Sequence, residues 1–192
     1  MYKNIVPEFK TALQVILFNE KAMHEVAADK NKTKFGFAII VVAAILGIIG
    51  QQFFMGFFKP TLAVSVVSMV VQLILVIIGI YVISWVAKKI FKGTASHDAF
   101  FRVMAYGMIL GWASIIPMLG IIAGLWALAL LFVILTKVHK VTAGGAIGTI
   151  IISLIILAIV SAILSPFTGR YSYKYMMGGR GMMNSYNIQV TP

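Results

Sequence analysis

Five stretches of this chain, residues 35–58, 61–87, 103–116, 121–136 and 146–164, contain no charged residue. Nothing else constrains its folding as strongly. A helix rises 1.5 Å per residue, so about 20 apolar residues cross the roughly 30 Å hydrocarbon core of a bilayer. The first, second and fifth stretches clear that length. The third and fourth are shorter, but Phe100 and Phe101 extend the third outward and Arg102 can snorkel towards the headgroups. Over the 192 residues, 61% are hydrophobic and 11% charged, with mean hydropathy +1.00. Soluble domains carry about 25% charged residues. The few charges here are clustered between long empty runs, which is the arrangement of an integral membrane protein.

The expected fold is all-α: a polytopic membrane helical bundle of five transmembrane helices, about 35–58, 61–87, 100–116, 120–136 and 145–164. An N-terminal leader, residues 1–34, precedes it, and a Gly-, Met- and Tyr-rich outer tail, residues 166–192, follows. A re-entrant hairpin around "IIPMLG" is the competing arrangement for the third and fourth segments. In the leader, Phe9, Leu13, Ile16 and Leu17 recur at helical spacing between Glu8, Lys10 and Gln14. That pattern predicts an amphipathic helix in the interface, serving as a lipid or partner platform or as a collar against the bundle. Asn19 is placed to cap a second short helix. Lys59 and Pro60 are expected to close the first hairpin. The absence of cysteine removes any disulfide framework or thiolate metal site. The leader has no cleavable signal pattern.

Lysine and arginine in short loops are retained on the cytoplasmic side. With the N-terminus inside, twelve lie inside: Lys3, Lys10, Lys21, Lys30, Lys32, Lys34, Lys88, Lys89, Lys92, Arg102, Lys137 and Lys140. Four, Lys59, Arg170, Lys174 and Arg180, lie outside. The re-entrant arrangement gives thirteen against three, so charge alone does not separate the two. The net charge of +11 is read as this topological bias plus attraction to anionic headgroups. Lys88, Lys89, Lys92, Lys137 and Lys140 are the expected lipid contacts at the inner face. No soluble basic face is present for nucleic acid.

Chemistry inside a membrane needs ionisable groups at depth, and the central parts of these segments have none. His24, His97 and His139 fall at interfaces, too dispersed for a metal site, and Ser114 has no base. No cofactor is expected and the chain is not read as an enzyme. Gln72, midway along the second segment, is either an interhelical hydrogen bond or one wall of a pore. Glycines four apart recur on three successive segments: Gly107 and Gly111, Gly120 and Gly124, Gly144 and Gly148. Such pairs let helix backbones approach closely, within the bundle or between copies. In "GTASHDAFFRVMAYG", Thr94 or Ser96 is expected to cap the third segment. Asp98 stands in its first turn, where the helix dipole favours an anion, and four residues before Arg102, the spacing of an ion pair. His97 is read as an interfacial side chain.

The order of leader helix, five segments, "GTASHDAFFRVMAYG" and "IIPMLGIIAGLWALALLFVILTKVHKVTAGGAI" resembles the Yip-domain family, the group that includes Rab-interacting membrane proteins. The resemblance covers residues 10 to 165. It rests on a Gly and small-polar loop before the third span, a tyrosine early in it, a proline in the turn to the fourth and a "vH" loop after it. The matching positions are Gly93, Thr94, Tyr106, Pro117, Trp126 and His139. The Asp-Leu-aromatic-Gly-Pro motif of eukaryotic members is absent, and Ala105 stands where their Gly-Tyr pair has glycine. The short leader is similar to that of prokaryotic members, for which the resemblance implies membrane residence in a plasma membrane; the eukaryotic form implies an endomembrane (Golgi or ER). The function expected is a non-catalytic protein organising lipid or membrane-protein partners, with an accessory subunit of a larger complex, or a small transporter or channel, as alternatives.

Overall fold

The computed structural model describes residues 5–54 and 62–181. Its elements are helical: α1 (Ile5–Ile16), α2 (Glu20–Ala28), α3 (Lys32–Phe54), α4 (Leu62–Lys89), α5 (His97–Gly107), the 3-10 helix η1 (Met108–Ile115), α6 (Pro117–Lys137) and α7 (Ala143–Gly181). The chain is an all-helical membrane bundle. Lys59 and Pro60, the expected outer turn, lie outside the described residues.

Four helices are long and apolar enough to cross a bilayer: Lys32–Gly50, Ser65–Lys89, Met118–Lys137 and Ala143–Ile163. The expectation of five simple spans is corrected at the third, which is not one helix but α5 continued by η1. Eleven residues at 1.5 Å and eight at 2.0 Å per residue rise about 32 Å, against about 31 Å for the 21 residues of α6. The two run between the same levels. Their near ends are tied by Thr94 N donating to His139 O at 2.8 Å, and their far ends are consecutive in sequence. A half-depth hairpin around "IIPMLG" is therefore not what the chain forms, since α6 is unbroken over its whole length.

The composite pass tolerates Arg102 and Tyr106 because protein, not lipid, surrounds them. Phe100, Phe101, Arg102, Val103, Ala105, Tyr106 and Gly107 are all buried. Around this central post stand α3, α4 and α6, with α7 beyond α4 and α6. The outer faces are apolar and exposed, as hydrocarbon contact requires: Val66, Val70 and Ile74 on α4, Ile121, Leu125 and Leu128 on α6, Ile147, Ile151 and Ile155 on α7. Gln72 lies on the exposed side of α4 and bonds no described residue, so the expected interhelical bond is not made.

The leader folds back on the bundle. Ala12 and Val15 of α1 and Ala22, Met23 and Val26 of α2 bury against α5. Ile5, Val6, Phe9, Leu13 and Leu17 stay exposed on the other side of α1, so α1 is a collar with an apolar outer stripe. Phe18 closes it in the left-handed region at φ 61°, with Asn19 N donating to Gln14 O, and Asn19 caps α2 by accepting from Ala22 N. At the other end of the chain, α7 continues past residue 165 to Gly181. The expected boundary between span and tail marks a fall in hydropathy and not the end of a helix. Residues 182–192 of the tail lie outside the described ones.

Candidate functional site: the lysine corner and its clamp

α4 and α6 end in the same way. In each, a lysine takes the left-handed conformation just past the helix, Lys92 at φ 56° and Lys140 at φ 55°. The next amide then reaches back six residues, Gly93 N to Ala87 O at 2.9 Å and Val141 N to Leu135 O at 3.2 Å. This cap satisfies carbonyls that a helix end leaves open. The two caps lie against each other through the Thr94–His139 bond, and Thr94 Oγ1 also donates to His139 O at 3.4 Å. A Cβ on Gly93 would lie 2.8 Å from His139 Nδ1, so only glycine allows the His139 ring this close.

Between the caps runs a chain of side chains that the sequence does not bring together. Ser84 Oγ lies 2.9 Å from His97 Nδ1 and 3.1 Å from His139 Nε2. Ser84 and His139 are both wholly buried, and the Phe100 ring covers His139 at 4.8 Å. His139 Nδ1 has no hydrogen-bond partner. The network therefore assigns the proton to Nε2, which donates to Ser84, whose hydroxyl donates to His97. Burial first, then the charges of His97 and Lys88, hold the His139 imidazole down at about 4. It is neutral at pH 7. At the rim, Tyr81 donates to Asp98 at 3.3 Å, and its ring stacks on Phe101 at 5.8 Å.

A second polar cluster clamps the leader. Lys32 bridges Glu8 at 3.2 Å and Glu25 at 3.1 Å, and Tyr106 donates to Glu8 at 2.5 Å. Arg102 donates through Nε to Val26 O at 3.2 Å and through Nη2 to Ala27 O, the last carbonyls of α2. Trp126 Nε1 donates to Ile16 O at 2.7 Å, and Trp112 Nε1 to Ile39 O at 3.3 Å. The clamp thus joins α1, α2, α3, α5, η1 and α6.

The expected residues can now be located. Ser96 is the cap of α5, accepting from Ala99 N at 3.1 Å, while Thr94 turns to the neighbouring loop. Asp98 and Arg102 do not pair: Asp98 takes the Tyr81 hydroxyl, and Arg102 is drawn inward by the open carbonyls of α2, which also corrects its expected snorkelling. Lys88, Lys89, Lys92 and Lys140 are exposed at the corner without a carboxylate among the described residues. Lys137 is exposed but paired with Glu20 at 3.1 Å, and this ammonium lowers the Glu20 carboxyl below its ordinary value.

The family model for the Yip1 domain matches residues 13–164. The chain belongs to the Yip1-domain family. Comparison with curated proteins and with solved structures gives no match. The Yip1 domain thus takes in part of α1, the clamp except Glu8, and the lysine corner, together with Gly93, Thr94, Tyr106, Pro117, Trp126 and His139. Of its paired glycines, Gly107 sits where a Cβ would meet Leu130 Cδ2 at 2.7 Å, Gly111 where it would meet Ala43 Cβ at 3.3 Å, and Gly148 where it would meet Phe91 Cζ at 2.5 Å. Gly120 is half-buried and donates to Ile116 O. Gly124 and Gly144 have no described atom within 4 Å of a Cβ, so packing inside this Yip1 domain does not use them. Spacing misses Gly36, whose Cβ would lie 2.9 Å from Ala105 Cβ. Gln72 and Tyr106 share no cavity here, the first facing outward and the second held on Glu8. The side chain of Ser114 lies outside the described residues.

Proposed function

We propose that this Yip1-domain protein is a non-catalytic integral membrane protein that organises anionic lipid, and through it itself or other membrane proteins, at the inner face of a prokaryotic plasma membrane. The observation that carries the reading is the exposed, uncompensated set Lys88, Lys89, Lys92 and Lys140, fixed on two mutually bonded helix caps. A basic residue near an anionic surface contributes on the order of 1 kcal/mol. Ser84 and His139 support a structural role for the serine–histidine chain, since both are sealed from any substrate.

Native mass spectrometry from bilayers of mixed phosphatidylglycerol and phosphatidylcholine tests this. The wild type is expected to retain phosphatidylglycerol preferentially, and the K88Q/K89Q/K92Q/K140Q variant to lose that preference. Equal retention of both lipids by the wild type refutes it. The N-inside orientation is tested by Lys30→Cys and Met118→Cys, placed singly in a chain with no other cysteine. A membrane-impermeant maleimide added to intact cells should label position 118 and spare position 30.

A further inference from the structure

Beside the clamp, between α3, α4 and the N-terminal half of α5, lies an open cleft of about 450 Å³ lined by Thr33, Lys34, Phe37, Ile77, Tyr81 and Phe101. Its volume is in the range of sites that take small ligands. It is placed at the level where α3 begins, near the inner headgroups, and its walls are mostly apolar. Of the wall residues, Lys34 is exposed and pairs with no described carboxylate, and Tyr81 donates its hydroxyl to Asp98, which stands just behind the wall. An apolar slot thus has one uncommitted cation in its wall and one carboxylate a single hydrogen bond away from that wall.

We infer that this cleft is a binding site for one zwitterionic phospholipid of the ethanolamine type, its acyl chain in the slot, its phosphate on Lys34 and its ammonium on Asp98. The occupant follows from the two charges. A phosphate alone would be served by Lys34, but Asp98 repels a headgroup of net negative charge and gains nothing from one that carries no cation. A primary ammonium donates hydrogen bonds to a carboxylate; a trimethylated ammonium has no hydrogen to donate. The Tyr81 ring, stacked on Phe101 and held by its own hydroxyl on Asp98, offers a π face to the same cation. The site rests on the membrane reading but is separate from the lysine corner, which selects net negative charge.

The test is native mass spectrometry of the full chain released from bilayers of equimolar phosphatidylethanolamine, phosphatidylcholine and phosphatidylglycerol. One phosphatidylethanolamine per chain is expected to survive, favoured over phosphatidylcholine about tenfold, the worth of a hydrogen bond to a charged group. Asp98→Asn should abolish the discrimination between those two lipids while leaving some binding of each, and Lys34→Gln should weaken both. Ile77→Trp fills the slot and should empty it of lipid. K88Q/K89Q/K92Q/K140Q should lower phosphatidylglycerol only, so failure of the corner and failure of the cleft read out separately. Wild-type protein that shows no preference for phosphatidylethanolamine overturns the site, as does an unchanged preference in Asp98→Asn. So does unchanged retention in Ile77→Trp. Circular dichroism on each variant verifies that the compared proteins are folded.

Discussion

Acid should loosen the lysine corner through one residue, His139. In the folded protein its imidazole is held down at about 4, from an ordinary 6.5, chiefly by burial and next by His97 and Lys88. The neutral form is therefore the one the fold selects. Unfolded, the ring takes a proton as the pH falls through about 6.5. Folded, it resists until about 4. Its contribution to stability is complete above about pH 6.5 and is lost progressively between that value and about 4. The full drop corresponds to about 3 kcal/mol, or about 6–12 °C in Tm for a chain of this length. Geometry gives the same sign. A second proton must go to Nδ1, which has no acceptor and packs on the backbone of Gly93. The assay is thermal unfolding in detergent from pH 8 to pH 4, wild type against His139→Gln. The glutamine amide can still donate to Ser84 but does not titrate. The two proteins differ in no other residue, so the difference between their curves isolates position 139. Wild type should lose its advantage over the variant between pH 6.5 and 4. Parallel curves over that range refute the reasoning.

Two further outcomes follow from packing. Gly148→Ala pushes a methyl to 2.5 Å from the Phe91 ring and should cost about 1–3 kcal/mol of stability, whereas Gly124→Ala, with open space, should be neutral or stabilising by up to about 1 kcal/mol; equal effects of the two in thermal unfolding would contradict the glycine map. Arg102→Met removes both donors to the α2 carbonyls, a loss of about 2–4 kcal/mol. Trypsin should then cut at Lys21 and Lys30 at least tenfold faster than in the wild type, and unchanged cleavage would mean the leader is held by other contacts.

Four long apolar helices were legible because charge-free length is a local property, and so were the caps Asn19 and Ser96, which act over three residues. What was not legible depends on partners distant in sequence. Hydropathy cannot tell an α-helix from a 3-10 helix, so the change of geometry at Met108 left no trace. Ser84 looks like any serine that bonds its own helix, as Thr136 and Thr149 do; its partners are 13 and 55 residues away. From sequence alone Arg102 belongs at the headgroups, where a lone cation beside apolar residues normally goes. The open carbonyls of α2, 75 and 76 residues earlier, outweighed water. Glycine spacing found Gly107, Gly111 and Gly148 but also Gly124 and Gly144, since spacing cannot say which side of a helix faces a neighbour.

The composite third pass bears on how the chain is made. A segment carrying an arginine costs about 2.5–3.5 kcal/mol to insert if that residue is left near mid-membrane, and η1 adds the weaker bonding of a 3-10 helix. Emerging from the ribosome, α5 and η1 are poor candidates for release into lipid on their own. The leader that neutralises this handicap has by then already been synthesised, and α6 follows after a single residue, Ile116. Stable insertion of the third pass is thereby expected to wait on the arrival of the fourth and on docking of Arg102 to the leader.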